Sequence, residues 1–206
     1  MNNFLRILLI LGGVFFALIG GFFLFIYIAF NGIFTGPSYN QSDLIENYEN
    51  KKEQIIEVKN YIEKIVPENI FVNIEFKNGD LETFHVKRNG NYENNWHLDI
   101  DSKKTDSLLN ILGWTHSELE TLKDKLDKAN CISVASRKPI TIGWQRSAMG
   151  MFFYKLFDQN LNDSLIEQYN GGCTYIFYKD NVVLQYGGGA IGPQCFPGFV
   201  RKELPH

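Results

Sequence analysis

Cysteine and histidine have the widest chemistry of the side chains here. The chain holds three of the first (Cys131, Cys173, Cys195) and four of the second (His85, His97, His116, His206). A thiolate beside an imidazole makes a nucleophile and its base, and such partners meet in space rather than in sequence. Any of the three cysteines with His85, His97 or His116 therefore stays open as a thiol-dependent or hydrolytic alternative, although no local signature supports it. As metal ligands the histidines are badly spaced, with no H-x-H or H-x-x-x-H pair. His97 and Asp99 alternate on one predicted strand face and could both reach one ion, yet strand alternation produces such pairs often. Ser147 stands in Arg146-Ser147-Ala148-Met149-Gly150, which lacks the first glycine of a nucleophile elbow and has no lysine at the S-x-x-K spacing.

Gly187-Gly188-Gly189-Ala190-Ile191-Gly192 fits G-x-G-x-x-G and follows a predicted strand. That pattern holds a pyrophosphate only where a helix begins, because the free N–H groups of the helix start meet the phosphates. Pro193 and Pro197 follow here and leave no room for one. The run is expected to be a loop that needs glycine for its backbone angles. No cofactor, metal site or catalytic residue is assigned.

The cysteines say more as structure. Outside the cytoplasm a disulfide is permitted. Cys173 opens the last predicted hairpin, and Cys195 lies past the glycine run that would fold the tail back across it. Closing that loop would contribute about 3 kcal/mol by chain entropy. Cys173–Cys195 is the expected pair, leaving Cys131 as a small buried apolar residue; the competing pair is Cys131–Cys173, with Cys195 exposed.

These residues sit on a chain of uneven composition. It is 45% hydrophobic and 21% charged, with a formal net charge of −3, which excludes disorder and gives no electrostatic footprint for nucleic acid. From Ile7 to Phe30 run 24 residues without a charge. As a helix they reach about 36 Å, enough for a hydrocarbon core of about 30 Å. The run is too long for the core of a signal peptide, and bulky residues stand where a cleavage site needs small ones. Residues 7–30 are therefore expected to partner the lipid bilayer as an uncleaved anchor. Arg6 and the terminal amine are the nearby positive charges, which predicts the N-terminus in and the domain out, as in a bacterial cell envelope. Gly13, Ala17 and Gly21 fall four apart on one helix face, a spacing that lets two such helices meet closely.

The expected organisation is an anchor over 1–34, a linker over 35–41 and a soluble domain over 42–206. Ser42 or Asp43 caps a helix to about Ile65, where Pro67 stops it. Tyr48, Ile55, Val58, Ile62 and Ile65 form its apolar stripe, interrupted at Lys51, and this favours packing on its own domain over a dimer stalk. Ile70–Phe76 and Leu81–Val86 flank Asn78-Gly79, a strong hairpin signal. Trp96–Ile100 is a third predicted strand. Helices follow from Asp101 or Ser102 to Leu112 and, with Thr115 and Glu118 as a capping box, to about Ala129. The last third reads as strands at Cys131–Ala135, Ile140–Trp144, Met151–Phe157, Cys173–Tyr178 and Val182–Tyr186, with a short helix capped by Asn162.

Hairpins outnumber strand–helix–strand units, so the fold class is α+β: one transmembrane helix, then a mainly antiparallel sheet with three to four packing helices. Phe152, Phe153, Tyr154, Phe157, Tyr175, Phe177, Tyr178 and Tyr186 put aromatics on both faces of the C-terminal strands. If helices cover one face, the other could recognise a partner. The expected function is a membrane-anchored extracytoplasmic binding module with a protein partner or self-association. A cell-envelope hydrolase and a structural membrane dimer are the alternatives.

Overall fold

The computed structural model describes residues 3–34, 39–147, 150–188 and 192–199, and the chain divides into two compact units, Met1–Ser38 and Tyr39–His206. The described residues of the first form one helix, α1 (Asn3–Phe34). Within it, Leu11–Ile28 is long and apolar enough to cross a membrane by length and composition, and none of that window is buried in protein. Gly13, Ala17 and Gly21 all stand exposed on it, and nothing lies within 4 Å of a Cβ built at Gly13 or Gly21.

The described residues of the second unit form one antiparallel sheet of nine strands in the order β3-β2-β1-β5-β6-β7-β9-β8, with β4 also on β2. The strands are β1 (Ile70–Lys77), β2 (Asp80–Arg88), β3 (Asn91–Glu93), β4 (Trp96–Leu98), β5 (Ser133–Ala135), β6 (Ile140–Ser147), β7 (Gly150–Leu156), β8 (Tyr175–Lys179) and β9 (Val182–Gly187). Turn chemistry sets these boundaries. Asn78-Gly79 turns β1 into β2, and Asn89-Gly90 turns β2 into β3; all four residues have positive φ, which asparagine and glycine tolerate. The second of these turns makes the stretch after Val86 a strand pair, where the sequence suggests only a loop.

Among the described residues four helices complete the unit: α2 (Gln41–Ile65), α3 (Lys103–Leu112), α4 (His116–Lys128) and α5 (Asp163–Asn170). Ser102, Thr115 and Asn162 accept backbone N–H bonds as the caps of α3, α4 and α5. The cap of α2 is Asn40, in a capping box with Asp43, and not Ser42 or Asp43 as the sequence suggests. Tyr39 stacks its ring 4.8 Å from that of Trp144. Tyr39, Asn40 and Gln41 therefore belong to the folded unit rather than to a linker.

The apolar stripe of α2 is used internally. Leu44, Tyr48, Ile55, Val58 and Ile62 join one core with Leu108 and Leu112 of α3, with Leu119, Leu122 and Leu126 of α4, and with alternate residues of the sheet. The interruption at Lys51 is a kink, with φ −128° and ψ 17° inside the helix. Buried polar bonds fix α2 on the sheet. The Tyr154 hydroxyl donates to the Leu44 carbonyl at 2.8 Å and accepts from Asn47 Nδ2 at 3.0 Å. Asp158, just past β7, takes Lys138 and Lys59, and those bonds hold its carboxyl down at about 2.

Cys173 and Cys195 stand at disulfide-bonding distance, with Cα atoms 4.6 Å apart. The Phe196 N–H donates to the Cys173 carbonyl at 2.9 Å, and the Phe196 ring, 2% exposed, enters the core. Gly187 (φ +130°) lets the tail turn back, since a Cβ there would meet the Gln194 nitrogen at 2.7 Å.

Candidate functional site

Strand alternation gives the sheet two unlike faces. Val72, Ile74, Phe84, Val134, Ile142, Phe152, Tyr154, Leu184 and Tyr186 point to the helices and are buried in the core. Their neighbours point the other way. The register sets Thr83, Glu75, Ser133, Gly143, Phe153, Gln185 and Tyr175 in one row across seven strands. The adjacent row is His85, Asn73, Ala135, Thr141, Lys155, Val183 and Phe177. On this face most side chains are half-buried, whereas those of the helix face are closed off. The aromatics expected on both faces divide accordingly, with Phe153, Phe157, Tyr175 and Phe177 on the open side. Helix α5 reaches one end of it, where Tyr169 meets Phe157 at 5.6 Å and Tyr175 at 5.4 Å.

Small residues make the middle of the open face low. A Cβ on Gly143 would collide with Ser133 Oγ and Met151 Sδ, so glycine lets those two groups fold over the strand. Around this floor stand rings. Trp96 and Tyr92, 56% and 48% exposed, flank His85 at 4.9 and 6.4 Å between centroids. Exposed aromatics of this kind contribute large contact area with little side-chain entropy to lose.

The polar groups of the face fall into two kinds. Glu75 is buried and accepts from Arg146 Nε and Nη2, each at 2.6 Å, a bidentate pair that also raises the pKa of the guanidinium. Glu82 lies 3.3 Å from His97 and 3.8 Å from Lys77. Lys87, Arg137 and Lys155 instead rest over the rings of Tyr92, Phe71 and Tyr175 at 5.9, 5.4 and 5.8 Å. No carboxylate pairs with these three among the described residues. Lys87 and Arg137 also line an open groove of about 780 Å³, with Phe71, Ser136 and the end of α2.

Thr83 Oγ1, His85 Nε2 and Gln185 Oε1 are buried atoms of this face that have no hydrogen-bond partner among the described residues. Orphaned polar atoms cost stability, and they mark places where a ligand or water completes the bonding. The open face thus combines exposed rings, cations without a carboxylate partner and buried polar atoms without a hydrogen-bond partner among the described residues.

Desolvation lowers the His85 pKa below the ordinary imidazole value of about 6.5. Its folded pKa is thus depressed, so on acidification the unfolded chain takes the proton first. Stability is complete above about 6.5 and is lost as pH falls through the folded value. The expected result is a His85→Gln chain whose melting temperature falls less between pH 7 and pH 5 than that of the parent. An equal fall in both chains would contradict this account of His85.

The other candidate residues are scattered. Cys131 is buried, its thiol pushed far up by desolvation, and its Sγ lies 3.4 Å from the Ala129 carbonyl. His116 bonds Asp106 at 2.7 Å, and His97 turns to Glu82 rather than joining Asp99. Asp99 accepts the N–H of Asp101 at 2.8 Å. No group of three or more His, Cys, Asp or Glu side chains that could hold a metal exists among the described residues. Ser147 is buried, and Tyr39 N lies 3.4 Å from its hydroxyl. In the glycine run, Gly188 N–H donates to the Gly192 carbonyl at 2.8 Å, while residues 189–191, like His206, lie outside the described residues.

Sequence reasoning missed Glu75, Lys155, Thr83 and Gln185. Two of them carry a signal: Glu75 and Lys155 are each the one charge inside an apolar strand run, Ile70–Phe76 and Met151–Phe157. No protein-family model, no curated protein and no solved structure matches the chain.

Proposed function

We propose that this chain is a membrane-tethered, extracytoplasmic binding module whose working surface is the open face of the sheet. The observation that carries the reading is the contrast between the faces: one buried under helices, the other bearing exposed rings and buried polar atoms without partners among the described residues. The apolar helix supplies the tether, with N-terminus inside, as the Arg6 flank favours. A paired Cys173 and Cys195 suits an oxidising compartment on the far side, such as a bacterial envelope.

Photo-crosslinking in living cells tests this reading. A photoreactive phenylalanine analogue at Tyr92 or Trp96 is expected to give adducts of discrete mass. The same analogue at Glu120, exposed on α4, should give none. Equal labelling at all three positions, or none at Tyr92 and Trp96, would contradict it.

A further inference from the structure

Lys155 is anomalous. It is the one charge in Met151–Phe157, yet its strand is interior to the sheet, with β9 and β8 between it and the nearer edge. Its side chain lies half-buried between Thr141 of β6 and Val183 of β9 in register. Among the described residues it has neither a hydrogen bond nor an ion pair; its ammonium rests 5.8 Å from the Tyr175 ring centroid. Desolvation alone lowers its pKa. A desolvated cation without a counter-charge destabilises the fold that holds it.

Gln185 stands diagonally across from Lys155, because Phe153 pairs with Gln185 where Lys155 pairs with Val183. It lies between Phe153 and Tyr175 in register, and its amide oxygen is buried without a donor among the described residues. A cation lacking an acceptor thus neighbours an acceptor lacking a donor, with a ring on either side. The charges of the face agree. Its carboxylates Glu75 and Glu82 are taken by Arg146, Lys77 and His97, while Lys87, Arg137 and Lys155 have none among the described residues. An anionic partner is the complementary one.

We propose that Lys155 and Gln185 form a subsite for a peptide C-terminus on the open face. Lys155 takes the terminal carboxylate, Gln185 turns its enclosed amide oxygen outward to accept the N–H of the terminal residue, and Phe153 and Tyr175 flank its side chain. A terminal residue carries an anion and an N–H donor on one α-carbon. An internal peptide bond lacks the anion, and an acidic side chain holds its anion further from the backbone N–H. This inference rests on the open face being the binding surface.

Calorimetric titration of the full-length chain in nanodiscs tests it, with N-acetyl-phenylalanine as probe and N-acetyl-phenylalanine amide as its neutral twin. The acid is expected to bind at least tenfold more tightly than the amide. Lys155→Met should abolish that preference and melt no lower than the parent, since methionine fills the space without a stranded charge. A residue kept for stability alone would do the opposite. Gln185→Leu should weaken the acid. Should Lys155→Met fail to fold, Lys155→Gln replaces it, and the acid–amide comparison on the parent still decides.

Failure of the acid to bind, equal binding of acid and amide, or full binding by the Lys155 variant would overturn the subsite. Acetate as tight as the acid would mark a simple anion site and overturn the terminus. If the acid fails while the crosslinks at Tyr92 and Trp96 persist, the subsite falls and the binding face stands. Loss of those crosslinks removes the face itself.

Discussion

Phe152→Ala is expected to lower the unfolding free energy of the soluble domain by about 3–5 kcal/mol, the range for deleting a buried aromatic ring. The ring has no exposed surface and sits among Tyr186 at 4.6 Å, Phe196 at 5.9 Å and Trp144 at 6.0 Å. Sheet, returning tail and β6 all pack on it, so the cavity cannot close by moving one neighbour. Domains of this size are stable by about 5–15 kcal/mol, so the loss is a large share. Phe153, the next residue, is the internal control. It points to the open face and is half-buried, so Phe153→Ala should cost about 1 kcal/mol, the ordinary cost of a point mutation. Urea midpoints of the two variants measure the difference. Equal costs would mean that the faces are not assigned as described.

Breaking the Cys173–Cys195 link is the second large effect. Each of Cys173→Ser and Cys195→Ser should lose about 3 kcal/mol, the chain-entropy value for a closed loop of this size, with a sequence separation of 22 residues. The tail has few other ties to β8 and β9: the Phe196 N–H bond to the Cys173 carbonyl, the burial of the Phe196 ring and the Gly187–Pro193 bridge. Adding a reductant to the parent should bring its urea midpoint to that of the variants. A midpoint that does not move on reduction would show that the two sulfurs are not joined in the folded protein.

Much of the fold was legible because its cues are local. Asn78-Gly79 fixed a hairpin through two positive-φ residues, and Thr115 with Glu118 fixed a helix start by reciprocal bonds. The interrupted stripe of α2 foretold its packing on its own domain; that the interruption at Lys51 is a kink was not foreseen. Asn40 was missed as a cap because Ser42 and Asp43, equally suitable by type, stand beside it. Strand β3 was missed because three residues carry no alternation to read, whereas β4 falls within the predicted strand Trp96–Ile100.

The candidate site was less legible for a different reason. Aromatic residues on both faces of the C-terminal strands could be read from the sequence, but which face the helices cover is set by long-range packing. The pair of Glu75 with Arg146 spans 71 residues, and the neighbours Lys155 and Gln185 meet through the register of β7 and β9. Single charges within apolar strand runs were the available hint at both places.

The account depends most on the apolar helix remaining in the bilayer with the folded unit beyond it. The intact mass of a Glu120→Cys chain, taken after whole cells meet a membrane-impermeant maleimide, reports both points at once. Glu120 is exposed, Cys131 is buried, and Cys173 and Cys195 are engaged with each other, so one label is expected. The predicted result is a chain that keeps its first 34 residues and carries that label. A mass lacking the apolar segment, or a chain that takes the label only after the cells are broken, would contradict the account.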